Sequence, residues 1–288
     1  MEKQALLGIL PPILSTLIFL LAWRPWKKDG CPNAAWASAI GLAIGYAISD
    51  ILIRGVHREW HGILPNGGSL WHPHIAISTA LIVAALTRFK KIPRLPVSIL
   101  LTAAAVALYL RVPLTDNPKA ALPALILFTG IGLLLWTCIW SAAKNTKGAR
   151  LPLMLWAAAA GSALILLQSG NAALAQLSGA LAASMGVFIL LGWLRPQLPA
   201  VNGALPVYTL VMLGLLIVGR GFAHPWQKSD RPFIFAAAAV ASPILTLLPP
   251  IRKLKPWAGT LLGVILTLAI SAIGLYLTED GFDFSGFK

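Results

Sequence analysis

Charge is scarce in this chain of 288 residues, since only 11% are Asp, Glu, Lys or Arg and only nine are acidic. A soluble globular domain has about twice that share of charge, so the composition excludes an ordinary soluble fold. Cysteine is also scarce. The two cysteines, Cys31 and Cys138, form no metal site by themselves, and we expect free thiols.

Motifs for several kinds of chemistry are absent. The chain has no glycine-rich phosphate-binding loop and no Ser, His and Asp set in a nucleophile context. Carboxylates are almost missing from the middle of the apolar segments, which argues against a pump driven through buried acids. No motif therefore names an activity.

Long apolar runs are abundant, because 58% of the residues are hydrophobic. Lipid offers no hydrogen bonds to a backbone, and the alternating pattern of a membrane barrel is absent, so each run should be helical. We predict an all-α polytopic transmembrane bundle that forms a single integral membrane domain over residues 1–288. Its ten predicted spans are residues 4–22, 34–53, 71–88, 95–111, 119–143, 151–168, 172–193, 204–219, 232–248 and 257–277.

The basic residues predict the orientation of these spans. Of 23 basic residues, 14 fall in the short loops after spans 1, 3, 5, 7 and 9, whereas the opposite side holds all the acidic residues except Asp29. Positive charge accumulates on the cytoplasmic side, so both termini should lie outside. We expect an inner-membrane protein of bacterial type whose partners are the bilayer and its anionic inner-leaflet lipids, with no nucleic acid.

Two parts of the chain, about 167 residues apart, resemble each other in the same order. Trp23 recurs as Trp193, Arg54-Gly55 as Arg220-Gly221, Pro73 as Pro232 and Tyr109 as Tyr276. The pattern predicts a tandem, parallel repeat of a four-helix unit. The first unit covers about residues 4–116 and the second about 172–283, and the two spans over about 117–170 link them.

All five histidines are predicted to lie on the outer side. His57 and His61 are four residues apart and share a helix face, His72 and His74 open the third span, and His224 follows Arg220. Imidazoles with nearby carboxylates form ligand sets for zinc and other transition metals, so His57, His61, His72 and His74 are candidate metal ligands. The spacing matches no known zinc signature, and ordinary interfacial histidines are the alternative.

Candidate ligand-binding residues surround these histidines. Asp50 lies one turn inside the second span, four residues before Arg54, and Glu59 follows in the long loop. An ionisable residue in a span suggests function, although an i, i+4 ion pair would explain it equally well. Leu216 replaces Asp50 in the second unit. If Arg220, near His224, therefore has no acidic partner, it is free to bind an anion.

Two features of the spans predict how the helices pack. Gly41 and Gly45 form a small-residue face that lets another helix approach closely. We favour a helix of the same chain as its partner over a second copy of the protein. Pro11-Pro12 removes two backbone donors and should kink or break the first helix.

These observations favour a small-solute transporter or permease with an outward-facing site near residues 50–74 and 220–232. That inference is architectural, because duplicated helical units often form carriers. One alternative is a membrane-embedded enzyme or a metal-binding accessory protein that uses the outer histidines, although we favour a protein that is not an enzyme. A second alternative is a structural subunit of a membrane complex.

Overall fold

The computed structural model describes residues 2–23, 31–54, 67–88, 94–196, 201–221 and 230–279. Within these ranges the chain is helical and contains no strand. Short 3-10 turns cover Gly68–Trp71 and Ser242–Leu247. The α-helices are α1 (Glu2–Trp23), α2 (Cys31–Arg54), α3 (His72–Arg88), α4 (Arg94–Tyr109), α5 (Arg111–Asp116), α6 (Pro118–Asn145), α7 (Arg150–Gln168), α8 (Ala172–Leu194), α9 (Leu205–Gly221), α10 (Arg231–Ala241), α11 (Pro249–Arg252) and α12 (Pro256–Glu279).

Six helices in the described ranges are long and apolar enough to cross a membrane. This length and composition are those of an integral membrane protein. The six segments are Trp36–Arg54, Ser69–Thr87, Ala121–Asn145, Arg150–Gln168, Ala172–Leu194 and Trp257–Thr278. Four shorter apolar helices accompany them, at Gly8–Ala22, Leu95–Tyr109, Leu205–Gly221 and Arg231–Leu247.

Helix α9 forms the centre of the bundle. Every residue from Leu205 to Gly219 is buried, and the helix contacts α2, α3, α4, α6, α8 and α10. A helix that is apolar on all sides can be buried completely, which explains its place among the others. Side chains that face α9 are therefore shielded from both water and lipid.

Small residues hold α1 against α2. The Ser15 hydroxyl donates to the Gly41 carbonyl at 2.8 Å. A Cβ atom on Gly45 would lie only 2.5 Å from the Pro12 Cα, so only glycine fits there. The Gly41-Gly45 face is thus used within the chain, as the intramolecular interpretation predicts.

Helix α1 continues through Pro11 and Pro12 without breaking. Because proline has no N–H, Pro12 leaves the Gly8 carbonyl, its partner four residues earlier, without its helical donor. The Ser49 hydroxyl on α2 donates to that carbonyl at 2.8 Å. A side chain of the neighbouring helix thus replaces the lost donor, as is common in membrane helices.

The helix termini collect at two opposite ends of the bundle. At the first, which we call the Arg54 end, Asn171, directly before α8, donates to the Gly219 carbonyl on α9 at 3.4 Å, and Thr278 on α12 donates to Gln168 on α7. At the second, the Lys144 end, the backbone N–H of Gly148 donates to the Pro196 carbonyl at 3.0 Å. The candidate site lies at the Arg54 end.

Candidate functional site

Asp50 and Arg54 form a buried ion pair in the last two turns of α2. Arg54 Nε lies 2.9 Å from Asp50 Oδ1, and the side chains are 16% and 6% exposed, respectively. The i, i+4 spacing brings the two groups onto one helix face, as the sequence predicts. The structure therefore contains the ion pair that the sequence predicts. The pair is more buried than an ordinary interfacial pair, and such buried charges are rare in membrane helices because they are costly.

The start of α3 supplies a common acceptor to this pair. Arg54 Nη1 donates to the Ser69 carbonyl at 2.9 Å, and His72 Nδ1 lies 2.6 Å from the same oxygen. A carbonyl can only accept, so His72 Nδ1 donates to it when it carries a proton. The side chain of His72 is completely buried.

Tyr109, the last residue of α4, packs between His72 and helix α9. Its ring centroid is 4.8 Å from that of His72, at an interplanar angle of 44°, and its hydroxyl donates to the Leu210 carbonyl at 3.3 Å. Gly214 makes room for this ring, because a Cβ atom there would lie 2.5 Å from Tyr109 Cε1 and closer still to Cζ and the hydroxyl.

Tyr46 completes what we call the buried polar cluster, which consists of Tyr46, Asp50, Arg54, His72 and Tyr109. Tyr46 is completely buried and lies one helical turn before Asp50 on the same face of α2. Tyr46 is not among the site residues predicted above, although Tyr46, Asp50 and Arg54 lie four residues apart, a spacing that predicts one polar stripe on the helix.

Several polar atoms of the cluster and its rim are buried without a hydrogen-bond partner in the described part of the chain. They are Tyr46 Oη, Arg54 Nη2, Trp71 Nε1 and His72 Nε2. Most buried polar groups in proteins are paired, since an unpaired one costs roughly 1–3 kcal/mol. The cluster therefore has both donors and acceptors with which a bound polar molecule can pair.

Arg220, the candidate anion ligand of the second unit, is already paired. Its Nε and Nη2 donate to the two carboxylate oxygens of Asp230 at 2.6 and 2.8 Å, and its guanidinium lies over the Phe128 ring, 5.7 Å from the centroid. The condition for an anion site at Arg220, the lack of an acidic partner, is therefore not met. The hydrogen bonds from Arg220 also hold the pKa of the exposed Asp230 carboxyl below its usual value.

The structure describes only two of the other predicted site residues, His72 and His74. His57, Glu59, His61 and His224 lie outside the described residues. His72 faces Tyr109, whereas His74 contacts Leu70 and Trp71, so these two imidazoles do not converge. No group of three or more His, Cys, Asp or Glu side chains in the described ranges is arranged to hold a metal. A metal site that uses His57 and His61 stays a prediction.

A separate cleft of about 470 Å³ opens at the Lys144 end. Its walls come from the C-terminal turns of α3, the start of α4, the second half of α6 and the start of α9. Trp136 and Trp140 contribute aromatic surface, and Lys144 lies at the edge. This cleft is apolar and open, whereas the buried polar cluster is polar and closed.

Comparison with known proteins gives no family for this chain. No protein-family model matches it, and no curated protein matches its sequence significantly.

Proposed function

We propose that the protein is a membrane permease for a small polar solute and that the buried polar cluster is its binding site. The observation that carries this proposal is the burial of ionisable and hydrogen-bonding groups, some of them unpaired, against the enclosed helix α9. Ionisable residues inside membrane helices are costly and commonly mark the path of a substrate or an ion.

The chemistry of the cluster limits the solute. Asp50 and Arg54 neutralise each other, so a solute with a large net charge would leave one charge unpaired in a buried place. Tyr46, Trp71 and His72 offer hydrogen bonds without adding charge. We therefore propose a solute that is neutral or zwitterionic and rich in hydrogen-bonding groups.

Ten membrane crossings form part of the same proposal. The six long and four shorter apolar helices occupy the positions of the ten predicted spans. Support also comes from the helix termini, which alternate between the Arg54 end and the Lys144 end and so leave Gly8 and Thr278 at the same end. With the basic loops in the cytoplasm, both termini would be outside, and the cluster would face outward.

The tandem repeat is proposed on the sequence matches alone. The packing of the helices offers it no support, because α1 packs along α2, whereas α8 packs mainly on α7 and α1 and touches its own successor α9 only briefly. Superposition of the first unit on the second is the direct check, and Trp23 should then overlie Trp193.

A binding screen tests the proposed site. Small amino acids, sugars, amines, inorganic phosphate and zinc would each be added to the purified protein in detergent while its melting temperature is measured. We expect a neutral or zwitterionic solute to stabilise the wild type by RT ln(1 + [L]/Kd), which is about 2.7 kcal/mol at 100 times Kd. Asp50→Leu/Arg54→Met should abolish the shift.

Asp116→Asn serves as the matched control, because Asp116 is an exposed acid at the same end of the bundle. It should keep the full shift. Stabilisation by zinc alone would favour the metal-binding alternative, and a solute shift that survives in the double variant would contradict the proposed site.

A further inference from the structure

The cleft at the Lys144 end is an open groove of about 470 Å³ that runs along the last turns of α6. About one turn beyond the last lining residue of α6, helices α4, α6 and α9 are in close contact, since a Cβ atom on Gly132 would lie 2.5 Å from Thr102 Cγ2 and 2.6 Å from Leu213 Cδ2. Along α6 the lining runs from Trp136 to Lys144, a rise of about 12 Å at about 1.5 Å per residue. One leaflet of the bilayer core is about 15 Å thick, half of the ~30 Å core.

The inner surface of the cleft is hydrocarbon in character despite its hydroxyl groups. Thr87 donates to the Ala84 carbonyl at 2.7 Å, Ser98 to Leu95 at 2.8 Å and Thr137 to Leu134 at 2.9 Å. These three hydroxyls are thus bonded to their own helix backbone, and their carbon atoms contribute to the lining beside Val83, Leu101 and Trp136, while Ser141 and Asn202 add polar groups. Such a lining suits an acyl chain better than a polar solute.

The cleft opens sideways, towards the surface where a membrane helix meets lipid. Leu95 on α4, at its edge, is 67% exposed, and Thr137 on α6 is exposed at the opposite edge. Trp140 and Lys144 follow along α6 towards the helix end. A Trp indole followed by a Lys ammonium group is typical of the depth at which the lipid headgroups begin. This end of the apolar groove should therefore lie at that depth.

We propose that this cleft binds one acyl chain of an anionic phospholipid, whose phosphate is contacted by Lys144. The apolar groove, about 12 Å of a ~15 Å leaflet, is suited to an acyl chain, and the cation at its mouth favours an anionic headgroup. The site is separate from the buried polar cluster, so the proposal does not depend on the permease function.

Native mass spectrometry of the delipidated protein in mild detergent tests this proposal, with phosphatidylglycerol and phosphatidylcholine as the two probes. The wild type should retain one phosphatidylglycerol in preference to phosphatidylcholine. Lys144→Gln should reduce that preference about fivefold, the effect of one cation near an anionic headgroup. Lys147→Gln, which changes an exposed lysine outside the cleft, should leave the preference unchanged.

A second pair of variants tests the groove itself. Thr137→Phe should fill the cleft from its exposed edge and lower retention of phosphatidylglycerol at least fivefold. Leu134→Phe is its control, because Leu134 is 59% exposed on the same helix but does not line the cleft. Equal lipid retention in the two phenylalanine variants, or equal headgroup preference in the two glutamine variants, would overturn the proposal. So would a dimer of the wild type that Thr137→Phe dissociates, since the occupant would then be a second copy of the chain.

Discussion

Replacement of Asp50 by Asn, with Arg54 retained, is expected to lower the free energy of unfolding by about 3–5 kcal/mol. The cause is the guanidinium, which would remain buried without a counter-charge, since the Arg54 side chain is only 16% exposed. The Ser69 carbonyl accepts from Arg54 and His72 but cannot neutralise a charge. Denaturant titration in mixed micelles measures the change.

The double variant Asp50→Leu/Arg54→Met separates the charge effect from the loss of packing. It removes both charges and keeps apolar bulk, so it should be at least about 2 kcal/mol more stable than Asp50→Asn. Asp116→Asn, at an exposed position, should change stability by no more than about 0.5 kcal/mol. An Asp50→Asn protein as stable as the wild type would show that water reaches the pair.

The second large effect is expected at Gly214, where alanine should destabilise the protein by about 3 kcal/mol or more. Overpacking a filled core costs typically about 1–3 kcal/mol, and this position is worse than typical because the added methyl group would overlap the ring of Tyr109. The ring has little room to retreat, since it lies between α9 and His72 and its hydroxyl bonds Leu210.

Two further variants identify the cause of that loss. Gly130→Ala is the matched control, because nothing lies within 4 Å of a Cβ atom there, and it should be neutral or stabilising by up to about 1 kcal/mol. Tyr109→Leu should recover part of the stability lost in Gly214→Ala, since it removes the overlapping atoms. If the alanine variants at positions 214 and 130 behave alike, the close contact between α4 and α9 is not as described.

The apolar segments could be predicted from sequence because each one is a local property of a continuous run of residues. The Asp50-Arg54 pair was predictable for the same reason, since both residues lie on one helix only a turn apart. Ser49 and Pro12 show what a local sequence pattern cannot predict. The prolines predict a kinked or broken α1, and the hydroxyl that compensates for Pro12 comes from another helix, 41 residues away from the Gly8 carbonyl to which it donates.

The rest of the cluster depends on contacts between distant parts of the chain. Tyr109 bonds a carbonyl 101 residues further on, and no periodicity within α4 reveals that partner. Arg220 is a similar case. Its partner, Asp230, belongs to the start of another helix, so comparison with Asp50 at the equivalent position of the first unit could not find it.

Solute flux through proteoliposomes tests the central claim most directly, with the solute that gives the largest stabilisation in the binding screen. Wild-type protein should accelerate its entry above that of empty liposomes, in a saturable manner. Asp50→Leu/Arg54→Met should insert and melt cooperatively yet reduce the flux to the empty-liposome rate, while Asp116→Asn transports like the wild type. A folded double variant that transports the solute at the wild-type rate would contradict the claim that the buried polar cluster is the binding site of a permease.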